Sequence, residues 1–155
     1  MSAQKQIQGL IKRLENSYQG TPWYGNALLS SLRKISSERA KMQVKPGTKS
    51  IAALLRHMVA WRQFLIEHLQ GNNTFDIELN SEIDWPSVDD LTWEELVEEL
   101  EISQTNILHL LSQQEDSWLK EMVGNRTYNH RFLVEGVIQH DIYHLGQINL
   151  LNNLI

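Results

Sequence analysis

A chain of 155 residues, 41% hydrophobic and 21% charged, is the size of one domain with a real core, and this composition lies far from disordered and membrane classes. The formal charge of −5, with acid gathered between residues 76 and 101, argues against nucleic acid and anionic membranes as partners, because binding phosphate needs clustered Lys and Arg. The absence of cysteine excludes disulfides, thiolate metal sites and a cysteine nucleophile, so any metal must sit on nitrogen or oxygen. Residues 1–12 lack the apolar stretch of a signal peptide and no run of about 18 apolar residues occurs, so a cytoplasmic location is expected.

Apolar residues recur every three or four positions over four long segments, and strict alternation over strand length is hard to find, which predicts an all-α protein. The first segment, residues 3–14 with some continuation, ends near Gly20, and Thr21-Pro22 can cap and start a second piece through about Ile35. A first helical arm broken near residues 20–22 is therefore expected. Residues 36–49 hold Pro46-Gly47 and few consecutive apolar positions, which predicts a connection before Ser50 or a neighbour caps the next helix. That helix runs to about Gln70, with Leu54, His57, Trp61, Phe64 and His68 along one side and Gly71-Asn72 as its stop.

Residues 71–90 make a connection that is long for a compact bundle and carries Trp85-Pro86, so it is expected to cover one end of the bundle. Thr92 followed by Glu95 has capping-box spacing, and Leu96, Leu100, Ile107 and Leu111 mark the buried face of a helix ending near Gln114. The last helix extends from about Arg131 to Asn153. Four helical stretches joined by connections of mixed length predict a four-helix bundle, with residues 1–155 as a single domain. Apolar stripes on all four helices exceed what one small core buries, so a homodimer through helix faces is expected.

In the last helix Leu133, Val137, His140, His144, Gln147 and Leu151 follow the spacing of an inward seam. A separation of four stacks the imidazoles of His140 and His144 one above the other. Two imidazoles at a seam must satisfy their polar nitrogens without water, or repel if charged, and a shared cation resolves both problems. A helical His-x-x-x-His pair alone is more often a surface or satisfied pair, but His57 faces inward from another helix and can complete a set of three nitrogens. Gly136 and Gly146 flank the pair and leave room for an ion, a water or a close helix. His68, about 16 Å along the axis from His57, is too far away to share the ion.

Among other polar neighbours, Gln147 and Tyr143 are placed to orient a bound water, although helix packing explains both equally well. Asp141, turned about 100° from His140, reads as a surface group or a support for the ligands rather than a ligand itself. Trp23, Trp61 and Trp85 read as core or lid packing in preference to a substrate cage.

The run Gln139-His140-Asp141-Ile142-Tyr143-His144-Leu145-Gly146-Gln147-Ile148 resembles the last-helix signature of the DinB/YfiT-like superfamily. The likeness extends to Ser50-Ile51 through His57 and Trp61, and to Pro22-Trp23-Tyr24-Gly25, in the same order along nearly the whole chain. It implies a four-helix bundle whose middle two helices run parallel, with His57, His140 and His144 holding a divalent metal, zinc or nickel. It further implies chemistry of the kind some members perform, thiol-dependent transfer or isomerisation with a low-molecular-weight thiol. Related sequences often carry His where this chain has Tyr24, and a phenol titrating near pH 10 is a poor base at neutral pH.

Three readings of function remain. A metal-dependent enzyme, thiol transferase or hydrolase in type, would use the ion to activate a thiol or water for a small-molecule substrate, with Trp23, Tyr24, Trp61, Tyr143 and Gln147 as candidates to bind substrate or to support the metal ligands. A stress-response module would bind metal or a small ligand without turnover. A structural bundle would leave the histidines empty or use them in a dimer, and one bundle fold can host any of these.

Overall fold

The computed structural model describes residues 3–155, and among them every regular element is helical. Four long helices carry the fold: α1 (Lys5–Gln19), α4 (Ile51–Leu69), α5 (Trp93–Ser112) and α6 (His130–Leu154). Between α1 and α4 lie two five-residue helices, α2 (Leu28–Leu32) and α3 (Ser37–Lys41), and a single 3-10 turn, Trp118–Lys120, precedes α6.

The helix starts follow side-chain chemistry. The Ser50 hydroxyl accepts from the Ala53 N–H, and the Asn129 side chain accepts from the Phe132 N–H. At α5 the expected capping box forms: Thr92 Oγ1 accepts from the Glu95 N–H at 3.1 Å while the Glu95 carboxylate accepts from the Thr92 N–H at 2.7 Å. Gly71 ends α4 with φ +85°, a conformation that side chains resist. The α1 start borrows its cap from far along the chain, since the Asp116 carboxylate accepts from the N–H groups of Gln6 and Ile7.

Two apolar clusters fix the topology. One joins Ile7, Leu10 and Leu14 of α1 to Phe64, Leu65 and Leu69 of α4, Ile107 and Leu111 of α5, and Leu133 to Ile138 of α6. The other joins Tyr18, Ile51 to Met58, Trp93 to Leu100, and Leu145 and Ile148. The first halves of α4 and α5 thus share one cluster and their second halves the other, so these middle helices run parallel. By the same test α1 and α6 run opposite to them.

Two local expectations fail. Thr21-Pro22 starts no helix, because Pro22 to Gly25 closes a turn, with Gly25 at φ +135°, and helix resumes only at Leu28. The segment 36–49 is not plain connection either, since the Ser36 hydroxyl caps α3.

At the first cluster's end two buried histidines face each other, His68 and His130, with ring centroids 6.2 Å apart. His68 Nε2–H donates to the Phe75 carbonyl and His130 Nδ1–H to the Trp118 carbonyl, while the remaining nitrogen of each ring is buried without a partner. Burial holds the His130 imidazole below its usual pKa, with nearby His68 adding and the Trp118 carbonyl and Glu121 opposing. A His lowered in the folded state is protonated first in the unfolded chain, so its effect is a loss of stability as pH falls through about 6.5. Metal-free protein should melt several degrees lower near pH 5 than near pH 7, with a smaller drop in His130→Gln; equal drops in thermal melts of the two proteins would show that His130 is not the source.

Candidate metal centre

His57 sits near the middle of α4, and His140 and His144 near the middle of α6, between the two apolar clusters. One ring nitrogen from each lies within 4.8 Å of the others. His57 Nε2 is 3.1 Å and His144 Nε2 3.0 Å from His140 Nε2. Two metal–nitrogen bonds of about 2.0–2.1 Å at angles from right-angled to tetrahedral would separate their nitrogens by about 2.9–3.4 Å, so the spacing fits one ion.

The outer nitrogens fix the protons. His57 Nδ1–H donates to the Asp84 carbonyl at 2.8 Å, and Asp84 Oδ1 lies 3.0 Å from the same nitrogen. His144 Nδ1–H donates to Gln147 Oε1 at 2.6 Å. With those protons outward, Nε2 of both rings presents a lone pair, and His140 Nε2 can give a proton to only one of them. A cation satisfies all three nitrogens together, so the donor set suits a metal. Burial, with His144 and His57 adding, pushes the His140 imidazole down to about 3, and burial also lowers His144. Both rings are therefore neutral near pH 7 and can donate lone pairs.

The long loop after α4 builds the outer support. Trp61 Nε1–H donates to Asp84 Oδ1 at 2.8 Å, and Asp84 Oδ2 accepts from the Asn80 N–H. Trp85, biased toward extended backbone by Pro86, stacks on the His57 ring at 3.8 Å between centroids. Arg56 of α4 pins the loop further on, bonding the Ser87 carbonyl and the Asp90 carboxylate. This connection was expected over one end of the bundle, but it lies against the flank of α4 at the histidines.

The remaining sequence candidates divide. Gln147 and Trp61 hold the site together through the hydrogen bonds just described. Tyr143 lies edge-on to His144, with ring centroids 5.0 Å apart, and its side chain is largely exposed. Trp23 is fully exposed and so neither core nor lid, and Tyr24 is half-exposed; no hydrogen bond or ring contact among the described residues joins either to the three histidines. Asp141 is no surface group: it is 4% exposed and paired with Arg62 of α4 at 2.7 Å. The buried face of α6 runs through Leu133, Val134, Val137, Ile138, Asp141, His144, Leu145 and Ile148, so His140 lies on the flank of the seam and is only half-buried. Asp84 escaped sequence reasoning, since a loop carboxylate has no fixed spacing from the helix it supports.

The fold matches a solved structure described as the conserved protein of locus from Enterococcus faecalis, at TM-score 0.62 and 17% identity over 100% of this chain and 98% of that one. No curated protein matches. The family model of the DinB superfamily matches residues 24–148, most of the chain and all three histidines. With that match over a helical bundle whose histidines can hold a metal ion, the chain belongs to the DinB superfamily.

Proposed function

We propose that His57, His140 and His144 hold a divalent metal ion, zinc or nickel, and that the protein is a metal-dependent enzyme acting on a small molecule, of thiol-dependent transferase or hydrolase type. The observation that carries the reading is the meeting of three Nε2 lone pairs from two helices, with the outer nitrogens of His57 and His144 held by Asp84 and Gln147. A bound divalent ion lowers the pKa of a thiol or water and polarises a carbonyl. The chain's own residues bind and orient: Asp84 and Gln147 fix the tautomers, Trp85 shields one face of His57, and a cavity beside His140 gives a small molecule access.

Non-catalytic binding is the second reading, and the state of Asp84 favours it. Among the described residues this is the one carboxylate lining the cavity, and both its oxygens are engaged, so none of them offers a free carboxylate base beside the histidines. Elemental analysis of protein purified without chelator or affinity-tag metal should find about one zinc or nickel per chain. Only traces of metal, with none taken up on titration, would overturn the metal reading. Thiol-transfer and ester-hydrolysis assays of the loaded protein then separate the two: turnover that disappears on chelation supports the enzyme, and none leaves the binding module.

A further inference from the structure

The histidines separate two cavities of different chemistry. The one bordered by His57 and His140 is about 360 Å³, and its other walls are Trp61, Tyr128, Phe132 and Val137 with their apolar neighbours. Among the described residues no Lys or Arg lines it, and Asp84, the only charged residue among them, is engaged by Trp61, His57 and Asn80. The cavity bordered by His144 is about 460 Å³ and holds Lys49, Thr48, Gln147 and Tyr143. An anionic ligand therefore finds a counter-charge, Lys49, only on the second side.

Gly136 gives the first cavity a further meaning. Glycine inside a helix is less stable than alanine there, so it usually answers a packing need. Here a Cβ built on Gly136 meets nothing within 4 Å, and the residue lines the cavity one turn before His140. What the missing side chain leaves is open space above an apolar floor, next to the ring that presents its nitrogen. A volume near the low end for ligand pockets limits the occupant to a small molecule.

We propose that this cavity binds a neutral, mainly apolar small molecule, whose one donor atom points toward His57 and His140 and whose body lies along Gly136. The proposal rests on the metal reading for the donor atom, whereas the apolar body is held by the walls alone. Phenylimidazole, a neutral ring with one donor, should bind the cobalt-loaded protein about tenfold or more tighter than imidazole, as read from the cobalt absorption bands. A carboxylate on its phenyl ring should remove that advantage, because the walls offer no cation. Gly136→Leu puts an apolar side chain into the space, starting from a Cβ that meets nothing within 4 Å, and improves helix propensity, so it should fold, bind cobalt and bind imidazole like the parent, yet lose the preference for phenylimidazole. Equal affinity for the two imidazoles in the parent, or an undiminished preference in Gly136→Leu, would overturn the proposal. Should the parent take up no cobalt, the metal reading fails by itself. Toluene binding to metal-free parent, followed by calorimetry or ligand-observed NMR and absent in Gly136→Leu, would still support the apolar pocket, and equal or absent binding in both would overturn it.

Discussion

Replacing His57, His140 and His144 together by alanine is expected to abolish divalent-metal binding while leaving the helical content intact. Each single substitution should weaken binding by more than the roughly 10–100-fold that follows loss of an outer partner, because it removes a bond to the ion itself. Asp84→Ala tests the outer layer and should fall near the lower end of that range, since the Asp84 main-chain carbonyl still accepts from His57 Nδ1 after the carboxylate is gone. The fold should survive because two apolar clusters pack α1, α4, α5 and α6 without these rings. Calorimetric titration with zinc and nickel, beside circular dichroism of each variant, reads the two effects separately. A triple variant that binds metal as well as the parent would sink the metal reading and the enzyme proposal together.

The architecture was legible because it depends on periodicity and capping, which are local. Thr92 and Glu95 announced α5 by spacing, and Gly71 closed α4 at a position only glycine fills cheaply. The stretch after α1 was not legible, because Pro22 is as compatible with a turn as with a first helical turn, and Gly25 decided for the turn. Leu28 to Leu32 were expected to be helical, but as part of a longer piece.

The three histidines were readable for a different reason. His140 and His144 owe their proximity to helix pitch, and His57 owes its inward direction to the stripe it shares with Leu54 and Phe64. Their support was only partly readable. Gln147, one turn from His144, follows from spacing, whereas Asp84 and Trp85 reach His57 from a loop whose path no periodicity records. Asp141 shows the reverse failure: a charged side chain on a helix reads as solvated until its partner, 79 positions away, is known.

That partner, Arg62, makes the second large effect. Arg62 Nε–H and Nη2–H donate to Asp141 Oδ2 at 3.0 and 2.7 Å, and Nη1–H donates to Ser103 Oγ and Gln104 Oε1. Both charges are buried, and together they tie α4 to α6 beside the histidines. Removing one leaves the other stranded, at a cost of about 3–5 kcal/mol, whereas Arg62→Met with Asp141→Leu should recover most of the loss by replacing the pair with apolar volume. The two single variants should differ. In Asp141→Leu the guanidinium keeps its charge, because arginine does not shed its proton in proteins. In Arg62→Met the carboxyl can take up a proton, since burial already pushes Asp141 upward and Arg62 is what opposes it. A carboxyl raised in the folded state contributes stability that is present below its unfolded pKa of about 3.9 and is lost as pH rises through the folded value. Relative to the parent, metal-free Arg62→Met should therefore gain stability from about pH 7 to about pH 5 in urea unfolding, while Asp141→Leu should not. If both singles lose the same amount at both pH values, or the double variant is no better than the weaker single, this pair is not the buried charge coupling that its hydrogen bonds describe.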